Sequence, residues 1–180
     1  PAAYSHTKKW LQMADYILWK LCGTFATDYT LASRTQLLDI HTNQWSEELL
    51  KAFGIPREML PELCKSGSAA GKVSEEAARV TRLSRNTLVV VGGHDHPCAS
   101  LGAGAAFGKK VLDSSGTAES FLYISPQGEK IPREYKGLRI CRYLDPDRYV
   151  AWGGIISSGV SVDWSVNRLA SMADWGVYQE

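Results

Sequence analysis

The sequence predicts an α/β chain with a helix-rich first part and a strand-rich second part. Three observations carry this. Apolar residues recur at helical spacing near the amino end and in short capped runs after it. One run of β-branched and apolar residues, 87–91, stands among the helices and stops at Gly92-Gly93. From Lys110 onward, four strand-like segments alternate with Pro, Gly and Asp turns.

Each element has its own signal. Residues 6–21 are expected to be a helix, with Trp10, Ala14, Ile17 and Leu21 as its core stripe and Gly23 as its C-cap. Residues 27–38 pass from polar to apolar without a clear period. Ser46 suits the cap of a helix through Phe53, with Glu47 and Glu48 in the first turn. Pro56 suits the start of another over 57–63. Residues 67–71 are small and read as a loop. Ser74 begins a helix over 75–81, Asn86 closes a turn, and 87–91 reads as a buried strand. Pro97 then sits where a helix can begin, and residues 98–106, rich in Ala and Gly, suit close packing. In the second part, 110–113, 119–124, 138–143 and 149–152 are expected strands. Pro126, Gly128, Pro132 and Asp145-Pro146-Asp147 supply their turns. Residues 160–172 read as a helix with Val160, Trp164 and Leu169 inward. The change of character places a domain boundary near Phe107-Gly108.

Composition narrows the function. The 180 residues are 44% hydrophobic and 22% charged, as in globular domains. Twenty basic side chains face 19 acidic ones, net +1, without the basic stripe expected of a nucleic-acid or anionic-membrane binder. No apolar run approaches the ~20 residues of a bilayer span. No secretory signal pattern opens the sequence, so a cytoplasmic location is expected. Cys22, Cys64, Cys98 and Cys141 are widely spaced with no C-x-x-C pair, and free thiols are expected.

The chemistry is densest at 91–97, Val-Gly-Gly-His-Asp-His-Pro. A strand ends, two glycines turn the backbone, and a helix begins. Ligands of α/β sheets lie beyond the carboxyl ends of the strands. There Asp95 could take a proton from a substrate hydroxyl, or it could only cap the helix. His94 and His96 flank it as substrate contacts, packing residues or two metal ligands, although no third ligand is marked. Residues 113–119, Asp-Ser-Ser-Gly-Thr-Ala-Glu, read as a hairpin turn or as a backbone cradle for phosphate. Residues 153–159, Gly-Gly-Ile-Ile-Ser-Ser-Gly, lead into a helix whose N-terminus suits an anion. They are not a Walker A loop, since no Gly-Lys-Ser/Thr follows.

Taken in order, these segments look like one family. Thr27-Asp28-Tyr29-Thr30-Leu31-Ala32-Ser33-Arg34-Thr35, then Leu37-Leu38-Asp39-Ile40 and Trp45, resembles the FGGY carbohydrate kinases, glycerol kinases and xylulokinases above all. Residues 54–62, Gly-Ile-Pro-Arg-Glu-Met-Leu-Pro-Glu, continue the pattern. Gly92-Gly93-His94-Asp95 matches the catalytic aspartate motif, Ser115-Gly116-Thr117 a phosphate motif, and Ser158-Gly159 through Trp164 the start of a nucleotide-contacting helix.

The resemblance implies two ribonuclease-H-like domains of the actin-like ATPase type closing on a cleft. It implies ATP- and Mg2+-dependent phosphorylation of a sugar or polyol hydroxyl. Residues 1–107 would then be the end of the sugar-binding domain and 108–180 the beginning of the nucleotide-binding one. Asp95 would be the general base, with His94 and His96 shaping the sugar pocket. Gly116, Thr117, Gly159 and Asp163 would lie along the nucleotide. Asp163 departs from the glutamine of glycerol kinases. The family's Asp-Gly-Thr loop for phosphate and magnesium, its early sugar-binding residues and its late adenosine motif have no counterpart here. An internal segment, inactive alone, is therefore the expectation. The Gly-His-Asp form, against Gly-Asp-Gln in glycerol kinases, favours a sugar, a ketose, over glycerol. The partners implied are sugar and ATP, with no nucleic acid, no membrane and no metal held by these residues; a homodimer is compatible. Two other classes compete: a non-catalytic module with this fold, and a metal site on the two histidines.

Overall fold

Helix α1 (Ala2–His6) leads through an extended stretch into α2 (Met13–Cys22). This computed structural model describes residues 2–108, 110–132 and 137–169. The single helix expected over 6–21 is therefore broken. Trp10 N donates to Met59 O at 2.7 Å, which holds residues 7–12 extended, and Asp15 Oδ2 accepts from Gln12 N where α2 starts. The face of α2 that packs inward carries Asp15 and Leu18. Trp10 and Ile17, placed in the core by periodicity, are about half exposed, at 53% and 52%. Gly23 ends α2 at φ 80°, in the left-handed region that glycine adopts without strain.

Strand β1 (Ala26–Asp28), helix α3 (Tyr29–Arg34) and the two-residue strands β2 (Leu38–Asp39) and β3 (Gln44–Trp45) occupy the stretch that had no clear period. Helix α4 (Glu47–Phe53) is capped by the Ser46 hydroxyl, which accepts from Leu49 N, as its sequence indicates. Where a helix over 57–63 was expected, a 3₁₀ turn at Arg57–Met59 is followed by β4 (Glu62–Cys64). Leu60 precedes a proline and is pushed extended, and β4 pairs in parallel with β1. Part of the expected 67–71 loop is β5 (Ala69–Lys72), antiparallel to β6 (Leu88–Val90), with α5 (Glu75–Thr81) between them.

Strand β6 is not buried on both faces. Val89 is buried, while Leu88 and Val90 are exposed. One face of its two-stranded sheet is packed, with Val89 in a cluster that includes Leu18 and Ala77. Helix α6 (Asp95–Gly102) begins two residues before Pro97, where the sequence suggested a start.

The remaining strands are β7 (Val111–Ser115), β8 (Glu119–Ile124), β9 (Arg139–Arg142) and β10 (Tyr149–Ile155). They form one antiparallel sheet in the order β7-β8-β10-β9. Strand β10 runs on through Gly153 and Gly154, which were read as loop, and Gly154 faces Ser120. A Cβ on Gly154 would stand 2.7 Å from Glu119 O, so a side chain there would push the strands apart. Helix α7 (Gly159–Leu169) closes the described chain. Val160 and Trp164, expected inward, are exposed, and the inward placement of Leu169 and the stretch to 172 fall outside the described side chains.

Burial is concentrated in three clusters. One lies on the four-stranded sheet around Leu122, Ile124 and Val150, each essentially inaccessible. Fully burying such a side chain stabilises by about 1.5–3 kcal/mol. A second joins Leu18 to Ala26, Val73, Ala77, Val89 and Val91, and a third surrounds Trp45. Polar contacts tie the two parts together. Arg142 donates from its backbone N to Ser33 Oγ at 3.0 Å and from Nε to Ile40 O at 2.6 Å. The buried hydroxyls of Ser100 and Tyr143 meet at 3.1 Å. The four cysteines are unbridged. No helix among the described residues is long and apolar enough to cross a membrane.

Candidate active site

Asp95 is the first residue of α6, and His94, not Asp95, stands at the N-cap position. The Asp95 carboxylate does not cap the helix: Oδ1 accepts from the backbone N of the adjacent His96 at 2.7 Å. The Nδ1 of His96 lies 2.9 Å and the Nδ1 of His94 2.7 Å from the same oxygen. The His96 contact is a hydrogen bond. The His94 contact is close but poorly aligned, and its Nδ1 forms no proper hydrogen bond. The His96 hydrogen bond is the main cause holding the Asp95 carboxyl below the usual carboxylate range. An ionised carboxylate has no proton to give, so Nδ1 of His96 carries the hydrogen. Burial pushes His94 below its ordinary value, against the opposing pull of Asp95. The Asp95 side chain is 80% exposed, so its carboxylate is open to a substrate.

The imidazoles are held from the second part of the chain. The Trp152 ring, on β10, meets His94 edge-on at 5.2 Å and His96 at 5.1 Å. The Arg34 guanidinium, from the end of α3, lies 5.2 Å over the same indole. Strand β10 thus packs on the imidazoles that flank the carboxylate, and α3 packs on the indole of β10.

A buried polar network lies beneath. Asp28 is inaccessible to solvent. Its Oδ2 accepts from Thr30 N at 2.8 Å, Thr30 Oγ1 at 2.6 Å and Ser66 Oγ at 2.9 Å, and its Oδ1 from Leu31 N at 3.0 Å. Thr30 Oγ1 in turn accepts from His94 N at 2.8 Å. Gly93 fits here because it has no side chain: a Cβ would stand 2.5 Å from Leu144 Cδ2 and 3.2 Å from Cys98 Sγ.

A second cluster forms at the far end of the four-stranded sheet. Gly116 and Thr117 sit in the β7–β8 hairpin turn. Ser158 N donates to Thr117 O and Gly159 N to Gly116 O, each at 2.9 Å, and the hydroxyls of Ser115 and Ser158 meet at 2.9 Å. The amides of Ser158 and Gly159, expected to face an anion, are thus taken by the turn. The open amides of the first turn of α7 are those of Val160 and Ser161. Asp163 is exposed, about one turn further along α7. From Trp152 to Ile155 the strand β10 runs about 10 Å towards this cluster.

Sequence reading brought out Asp95 and its two histidines, and separately Gly116, Thr117, Gly159 and Asp163. The fold gathers the first three, and it clasps Gly159 to Gly116 and Ser158 to Thr117. It missed Thr30, Asp28, Trp152 and Arg34. For Asp28 a signal existed, since an aspartate two residues before a threonine at a helix start is a cap pattern. For Trp152 none did.

A cavity of ≈ 280 Å³ adjoins the site through Arg34 and is lined also by Trp10, Gln12, Asp15, Thr27 and Trp45. Burial pushes the Asp15 carboxyl up to about 6. His94, Asp95 and His96 also bring ligand atoms within 4.8 Å of one another, a set that could hold a divalent ion.

These elements make up a partial α/β fold of the actin-like ATPase type. Residues 1–102 match the N-terminal domain of the FGGY family of carbohydrate kinases, and the chain belongs to that family. It is 35% identical over 165 residues to a xylulose kinase of Lactococcus lactis, covering 91% of this chain and 32% of the relative. It is 40% identical over 118 residues to an L-fuculokinase of Salmonella typhi, covering 66% of this chain and 25% of the relative. The fold resembles a xylulose kinase structure from Rhodospirillum rubrum with TM-score 0.84 and 25% identity, covering 99% of this chain and 36% of that one. The chain thus spans about a third or less of the length of these relatives.

Proposed function

We propose that these residues carry the catalytic base and part of the nucleotide site of an ATP-dependent carbohydrate kinase. The observation that supports this most is the exposed Asp95 carboxylate at the start of α6, held on one oxygen by the backbone N and the imidazole of His96. Oδ2 is left to face an acceptor hydroxyl and take its proton as the oxygen attacks. Phosphoryl transfer depends mainly on positioning and charge stabilisation, so one aimed carboxylate suffices as base.

ATP would lie with its phosphates at the 116–117 turn and the first turn of α7. Glycine at 159 lets α7 start this close to the turn, since a Cβ there would come within 3.1 Å of Gly116 O. Magnesium bound with the nucleotide would neutralise phosphate charge; none of these residues is assigned to ligate it. The boundary near residue 107 would separate the sugar-binding from the nucleotide-binding part. His94, His96 and Trp152 would border the sugar. A ketose is favoured over glycerol, on the Gly-His-Asp sequence and the xylulose kinase and L-fuculokinase relatives. The 180-residue segment alone is expected to be inactive, as it spans about a third of the L. lactis relative.

The test is Asp95→Asn in a full-length kinase containing this segment. The expected result is a fall in kcat of about 10²–10⁴-fold with ATP affinity kept. A variant that keeps its rate would show that Asp95 is not the base.

A further inference from the structure

The candidate base is not attached to the fold by its helix alone. The residue before it, His94, gives its backbone proton to the Thr30 hydroxyl at 2.8 Å, across 64 residues of sequence. A hydroxyl has one proton to donate, and Thr30 donates it to Asp28 Oδ2 at 2.6 Å. Its lone pairs are therefore turned towards the His94 amide. Asp28 is itself held by three further donors, from Thr30 N, Leu31 N and Ser66 Oγ. Thr30 is 2% and Asp28 0% exposed, so water does not compete for these bonds.

We propose that Thr30 is a positioning residue for the base. Its hydroxyl, oriented by Asp28, sets the backbone at His94 and so the direction in which the Asp95 carboxylate leaves α6. The proposal rests on reading Asp95 as the base. Hydrogen bonds in a chain polarise one another, so the Asp28 contact strengthens the acceptor that holds His94. The packing leaves little slack, since Gly93 lies between Leu144 and Cys98 with no room for a Cβ. A loop free to drift by about 1 Å would cost on the order of 10²-fold in rate.

The test compares Thr30→Val, which keeps the shape and removes the hydroxyl, with Thr30→Ser, which keeps the hydroxyl, in the full-length kinase beside Asp95→Asn. The expected result is a kcat at least about tenfold lower in Thr30→Val with the KM for ATP unchanged, and recovery to within about threefold in Thr30→Ser. Wild-type kcat in Thr30→Val beside an inactive Asp95→Asn overturns the relay and leaves the base reading standing. An active Asp95→Asn overturns the base reading, and the relay as positioning of a base falls with it. Should Thr30→Val fail to fold, amide exchange in the wild type decides. Protection of the His94 amide comparable to the interior of α6 is expected, and exchange as fast as an exposed amide overturns the proposal.

Discussion

The amide of Gly159 donates to the carbonyl of Gly116 at 2.9 Å, clasping the start of α7 to the β7–β8 turn. Two segments that are far apart in sequence thereby form one surface. A Cβ at 159 would stand 3.1 Å from that carbonyl oxygen, and a branched side chain would meet it more closely. Gly159→Val is expected to open the clasp and raise the KM for ATP about tenfold, roughly 1.4 kcal/mol of binding. The acceptor KM should stay unchanged. Steady-state kinetics with each substrate varied in turn checks this, and an unchanged KM for ATP would remove Gly159 from the nucleotide surface.

The His96 imidazole is the main cause of the low Asp95 pKa. Removing it takes away a donor that favours the charged form, so the Asp95 pKa must rise. In His96→Ala the acidic limb of the kcat/KM profile should move to higher pH, while the plateau near neutrality falls less. His94 supplies a second, opposite charge when protonated, and the backbone N of His96 remains, so the shift is partial. Coincident profiles for wild type and variant would mean that Asp95 does not set this limb. A sugar KM that His96→Ala leaves unchanged for every sugar would also argue against a role in the pocket.

Trp152 packs against both imidazoles and beneath Arg34. Aromatic pairs of this kind contribute about 0.5–1.5 kcal/mol beyond their buried area. Trp152→Ala is expected to free the histidines and raise the acceptor KM about tenfold, whereas Trp152→Phe, which keeps a ring, should stay within about threefold. Equal effects of the two substitutions would point to lost bulk rather than to the ring contacts.

Asp15 is buried, and its carboxyl is pushed up to about 6. The unfolded chain releases this proton near 3.8, the model-compound value, so between the two the folded state holds the extra proton. Stability from this group is complete below about 3.8 and declines as pH rises through about 6, by about 3 kcal/mol. Asp15→Asn should remove that decline and stabilise the protein at pH 7–8. Urea denaturation of both forms at pH 4.5 and 7.5 reads the difference. A gap between wild type and variant that is the same at both pH values would contradict it. Asp39 and Asp95 shift in the opposite direction and are common to both forms, so they cancel.

Much was legible because it is local. Ser46 and Ser74 cap their helices, Gly23 ends α2, and the β8 strand falls over the expected 119–124. Gly92-Gly93-His94-Asp95 was readable for the same reason, since strand end, tight turn and helix start follow one another in the chain. The failures share a cause. Residues 7–12 are extended because Met59 takes the Trp10 amide. Residues 62–64 form a strand because β1 is there to pair with it. Leu88 and Val90 are exposed because only the face that carries Val89 packs on the core. Propensity cannot anticipate a partner distant in sequence.

The candidate site divides along the same line. The sequence by itself determined the carboxylate, its flanking imidazoles and the glycines of the 116 turn and the start of α7, since these depend on residue type and on neighbours one or two positions away. Only the tertiary structure decided that Trp152 and Arg34 confine the imidazoles, that Thr30 and Asp28 hold the backbone beneath Asp95, and that Gly159 closes on Gly116. Each of these joins elements separated by tens of residues. The bonds of Thr30 and Asp28 also gain from burial, and none of these contacts exists until the sheets and helices have packed.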